Sequence, residues 1–177
     1  MSNELENINE YQYINYVDLA SIDKDLGIIK EFYKLNPTEA SSRARQKIEK
    51  GDLLVFSLAG SLKAIAIFDG SFDNAICSTG FYVIKSSKNY NNYYLWALFR
   101  SPILQMILER ESSGAVMPAI NRDAFLNLEI PLPPLSVQNK IAEEVISRMK
   151  KAEQLRKEAE EELEKAKKEV EKIILVD

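Results

Sequence analysis

The chain has 177 residues, 46% of them apolar, and 23 basic against 27 acidic side chains give a net charge of −4. This composition suits one packed domain with an appendage, excludes a chain disordered or fibrous throughout, and argues against a protein that grips nucleic acid by charge alone. With no histidine and a single cysteine, Cys77, imidazole acid–base and nucleophilic systems, zinc sites of cysteine and histidine, and an internal disulfide are all excluded.

The first twenty residues lack the basic and apolar regions of a signal peptide, and no apolar run approaches the roughly 18 to 20 residues that span a bilayer. A cytoplasmic protein with no membrane contact is expected. Glycine-rich phosphate and dinucleotide loops and calcium-loop spacings are missing too, so neither a cofactor nor a metal is expected.

In chain order, residues 13–20 are rich in β-formers, residues 21–27 form a polar turn ending in Gly27, and residues 28–33 resume an extended pattern. Two strands and a turn are predicted there. Asn36-Pro37-Thr38 breaks the chain, and residues 39–48, which include Arg43 and Arg45, read as a polar connector or short helix. Gly51-Asp52 then makes a tight turn into residues 53–56, whose continuous apolar run predicts a buried strand, as do residues 64–68 and 80–84. Cys77, beside a predicted strand, reads as a small core residue.

Over residues 93–111, Leu95, Leu98, Phe99, Ile103, Met106 and Ile107 fall at helical spacing, and Pro102 suits the first turn of a second helix. Two helices, or one kinked helix, should cover the sheet, so Tyr90, Tyr93, Tyr94 and Trp96 are expected to pack rather than to stack on bases. Residues 112–114 read as a loop, Met117-Pro118 as a break, Asp123 as the cap of a turn, and residues 126–130 alternate like a strand. Residues 1–135 are thus expected to form a mixed α+β head with a mostly β core.

Ile130-Pro131-Leu132-Pro133-Pro134-Leu135 stops whatever precedes it, because proline lacks an N–H and restricts its predecessor. Ser136 is the expected N-cap of a helix running to the end of the chain, about 40 residues or roughly 60 Å long. Placing heptad position a at Met149, Arg156, Leu163 and Val170 puts Ala152, Ala159, Ala166 and Ile173 at d, with Ala142 and Val145 behind them. Small side chains on that seam admit a close second helix. The rod, residues 136–177, outreaches a head of this size, so part of it must lack a partner within the chain. Pairing with a second copy or another protein is expected, most simply as an antiparallel coiled coil.

These features together resemble half of a specificity subunit of type I restriction–modification enzymes. The resemblance rests on Tyr16-Val17-Asp18-Leu19-Ala20, on residues 48–54 with Gly60 after them, on Ser78-Thr79-Gly80-Phe81-Tyr82, on the run from Gly114 to Ile120, and above all on residues 128–135 with Gln138, Ile141 and Ala142. It implies a target recognition domain that reads DNA, and a spacer helix that pairs with its counterpart and docks adenine-specific methyltransferase subunits, with restriction subunits in the full complex. It implies no catalysis. A complete subunit has two such halves, leaving two readings: a half-subunit acting as a homodimer, or a fragment of a longer chain.

Base reading needs donors and acceptors at groove edges, whereas phosphate contacts set position. Candidates for double-stranded DNA are Arg43 and Arg45 in the polar connector, Lys63 after the Gly60 loop, Lys85 and Lys88 beyond a strand, and Asn91, flanked by Asn89 and Asn92. The competing reading of each is a solvated surface side chain. From a different functional class, the alternative for the whole chain is an oligomerisation adaptor whose head binds protein. Read as a proline motif, residues 131–134 would instead be a ligand for a peptide-binding domain.

Overall fold

Two stacked sheets form the body of the head in a computed structural model that describes residues 5–113 and 118–175. In chain order the strands are β1 (Ile14–Val17), β2 (Ile22–Asp23), β3 (Ile28–Ile29), β4 (Tyr33–Leu35), β5 (Ala44–Lys47), β6 (Leu53–Phe56), β7 (Ile65–Ile67), β8 (Ala75–Ser78), β9 (Phe81–Ile84), β10 (Ser112–Ser113) and β11 (Ala119–Ile120). The first sheet runs β4-β1-β8-β5, with β1 and β8 parallel and the other pairs antiparallel. The second runs β7-β6-β9, entirely antiparallel. The helices are α1 (Asn92–Phe99), α2 (Pro102–Glu111), α3 (Arg122–Leu126) and α4 (Leu135–Ile174).

Side-chain alternation explains the layering, since successive residues of a strand point to opposite faces. Leu54 and Phe56 of β6 pack with Val17, Ala75 and Cys77 of the first sheet, while Leu53 and Val55 turn to Leu95, Phe99, Leu104 and Leu108 of α1 and α2. Every residue of β6 is buried because both its faces are covered. On the far side of the first sheet, Ile14, Tyr16 and Ile76 pack beneath Ile8. The mixed α+β head with a mostly β core is as expected, and Cys77 is a core residue whose thiol burial pushes up, away from its reactive form.

Several local expectations are corrected. Residues 44–47 form β5, not a connector or helix: Ala44-Arg45-Gln46-Lys47 reads as polar because β5 is an edge strand with solvent on one side. The Gln46 amide secures it, donating to the Ser78 and Phe81 carbonyls at 2.8 and 2.9 Å. β8, the inner partner of both β1 and β5, carries too little β propensity in Ala75, Ile76 and Cys77 to announce itself. The polar turn of residues 21–27 contains β2, which pairs with β3.

Residues 126–130 are not a strand. α3 ends at Leu126, and Leu128 and Ile130 pack irregularly on the helix-side core. Asn121, not Asp123, caps α3 by accepting from the Ala124 N–H. α1 and α2 are separate helices as expected, with Pro102 in the first turn of α2 after Ser101. α4 starts at Leu135 with Pro134 at the cap position, so Ser136 lies inside its first turn. Gly114, Met117 and Val176 lie outside the described residues. Among the described residues, no helix is long and apolar enough to cross a membrane.

Candidate nucleic-acid interface

Arg43 and Arg45 stand at the free edge of the first sheet. The pairing of β5 with β8 slips between Ala44 and Gln46, so Arg45 is the extra residue of a β-bulge, a device that bends a strand and re-aims a side chain. Its Nε donates to the Ser42 carbonyl at 3.4 Å, and Arg43 beside it is exposed. Arg43, Arg45, Lys63 and Lys88 make no ion pair among the described residues.

Lys63 lies in the turn between β6 and β7, where two cations distant in sequence join it. Lys24 reaches Ser61 Oγ at 3.3 Å, and the Arg100 guanidinium donates to the Lys63 and Asp25 carbonyls at 3.2 and 2.7 Å while lying over the Trp96 ring. No sequence pattern singled out Lys24 or Arg100, because only the fold brings the β2–β3 loop to this turn. Lys88 is exposed beyond β9.

Lys85 and Asn91 hold structure together. The Lys85 ammonium sits 2.8 Å from the carboxylate of Asp52, which is buried and also accepts the Glu49 and Ser86 N–H groups at 2.8 and 3.0 Å. The Gly51-Asp52 turn thus anchors the end of β9. Asn91 caps α1, accepting from the Tyr93 N–H at 2.9 Å, and donates to Asn139 of α4 at 3.0 Å.

At this joint Gln138, 1% exposed, accepts from the Asn91 N–H at 2.9 Å and donates to the Pro133 carbonyl at 2.7 Å. Tyr94 holds the Pro131 carbonyl at 2.7 Å. The proline lead is therefore bolted to the head. Along the next turns Ala142 is buried, while Ile146 and Met149 face Ile28, Ile29, Ile67 and Tyr93 across a cleft. The last tie is the ion pair of Arg156 with Asp23.

Beyond Arg156 the helix leaves the head, and every described residue is exposed. Leu163, Val170 and Ile173 are 62, 54 and 75% exposed, in line with the exposed Ala152, Ala159 and Ala166. Towards the head the stripe continues through Leu155 and Ile141. Of the expected seam residues, Met149 faces the head cleft, and the other six face solvent in the single chain.

A head of two sheets bolted through a proline lead to a 40-residue helix matches known proteins closely. The family model for the type I restriction modification DNA specificity domain matches residues 1–165. The chain belongs to that family. Its fold matches a chain from the study of complex assembly and conformational transition of the type I R-M system, at 32% identity and a TM-score of 0.74, over 93% of this chain and 44% of that one. It also matches the HsdS subunit from Thermoanaerobacter tengcongensis at 30% identity and a TM-score of 0.71, again over 93% and 44%. The specificity domain described here thus spans less than half the length of those solved chains.

Proposed function

We propose that this specificity domain reads one half of a two-part DNA target for a type I restriction–modification complex, catalyses nothing itself, and directs adenine-specific methyltransferase subunits, with restriction subunits in the full assembly. The observation that carries this reading is the family match across the head and most of α4, on a chain whose exposed cations sit at strand edges and turns. Arg43 and Arg45 are the proposed base readers, because the bulged edge strand aims them outward and a guanidinium matches guanine O6 and N7 in a fork. Lys63 and Lys88, with Lys24 near the former, are proposed phosphate contacts. Lys85 and Asn91 act indirectly, holding the β9 end and the joint beneath them.

The apolar stripe of α4 supports pairing with the same helix of a second copy, antiparallel, as a coiled coil. Two identical heads would then read a palindromic target with an unread spacer. The net charge of −4 is compatible with this if methyltransferase subunits neutralise most phosphates. Fluorescence anisotropy of duplex DNA with the chain and its methyltransferase subunits tests the reading. Binding should weaken steeply with salt, and R43A/R45A should cost about 1–3 kcal/mol for each lost base contact. Failure to bind DNA in that mixture would favour the protein-binding adaptor.

A further inference from the structure

The sign of charge reverses sharply along the exposed face of α4. Residues 148–157 carry Arg148, Lys150, Lys151, Arg156 and Lys157 against the single Glu153. Residues 158–164 carry five glutamates and no cation. Two other features meet at the same place: the exposed apolar stripe from Ile141 to Ile173 has its midpoint at Lys157, and the head's last tie is at Arg156.

We infer that a second copy of this chain pairs antiparallel along α4 with the twofold axis between Lys157 and Glu158, and that the charge reversal selects this register. The inference rests on the self-pairing proposed above and adds its alignment. About this axis the cationic block of each copy lies along the glutamate block of the other, with Lys157 across from Glu158 and Lys151 across from Glu164. Leu163 falls opposite Ala152, Val170 opposite Val145, and Ile174 opposite Ile141, so large side chains meet small ones or close the ends.

Neighbouring registers are penalised. A slip of one heptad one way sets Lys151 against Lys157. A slip the other way sets Glu158 against Glu164 and Glu160 against Glu162, and like charges side by side destabilise paired helices. A parallel pair would stack the glutamate block on itself. Each head occupies only its own half of the rod, so the two heads do not compete for one stretch of helix. At 1.5 Å per residue, the two Ala142 positions would lie about 46 Å apart along the rod.

Mixing the A152C and L163C variants of the full chain under mild oxidation tests the alignment, because the native Cys77 is buried. The expected product is the mixed 152–163 cross-link, with little of either variant joined to itself. An A152C–A152C product would overturn the register and leave pairing standing. A wild-type chain that sediments as a monomer at tens of micromolar would overturn pairing and register together. Because L163C trims the stripe, E160K/E161K/E162K provides an independent check. Its self-association at low salt should be about tenfold weaker than wild type, with the gap closing at high salt. Equal association at low salt would contradict the charge code.

Discussion

Gln138 shows how one side chain turns a sequence landmark into architecture. Its amide meets a donor at the start of α1 and an acceptor in the proline lead, both hidden from water, so each terminal atom has a fixed task. Leucine has nearly the same volume but neither polar group. Gln138→Leu should orphan the Asn91 N–H and the Pro133 carbonyl at about 1–3 kcal/mol each. Urea unfolding should show a lower midpoint at an unchanged slope. An unchanged midpoint would mean that the joint does not depend on this amide. Asp52 works in the same way at the end of β9, gathering two N–H groups and the Lys85 ammonium. It explains why a lysine that reads as a surface candidate is committed inside the fold.

Between elements, the Asp23–Arg156 pair fastens the β2–β3 hairpin to α4 at the point where the helix leaves the head. Burial alone would raise the Asp23 pKa, but the Leu26 and Asp25 N–H groups and the Arg156 charge outweigh it, and the net shift is downward. A carboxylate with a depressed folded-state pKa contributes stability that is complete above its ordinary value and is lost as pH falls through the depressed one. The stability gap between wild type and Asp23→Asn should therefore be largest near neutrality and narrow below about pH 4. Trp96 can report it, since its indole donates to the Gly27 carbonyl in the same hairpin. A gap that stays constant into acid would contradict the latch.

The elements also differ in how legibly the sequence encodes them, for physical reasons. β6, β7 and β9 are apolar on both faces, and α1, α2 and α4 carry a helical period and strong end signals, so local pattern suffices. β5 and β8 depend on their neighbours. One is polar because it is an edge, and the other is built of small residues because it is enclosed. The candidate site follows the same rule. Arg43 and Arg45 were visible as charges, but the bulge that aims them exists only through pairing with β8. Lys24 and Arg100 join Lys63 only through tertiary contact.

Taken whole, the molecule divides into a rigid half and a bare half. The head grips α4 as far as Arg156, and the remaining turns present an apolar stripe to solvent. A rod used in this way sets distances between bodies. In the proposed complex it fixes how far apart two recognition heads stand, while strand edges and turns of each head meet DNA. Such a division explains how a chain of net charge −4 can serve a DNA-binding assembly: selection lies with a few aimed side chains, and bulk neutralisation lies with partners.

Methylome sequencing of cells that carry this chain with its methyltransferase subunits, in a background without other adenine methylation, tests the reading most directly. A methylated two-part motif should appear, palindromic about an unread spacer, and R43A/R45A should alter the bases read or abolish it. A methylome without any new two-part motif while both proteins are present and associated would contradict it.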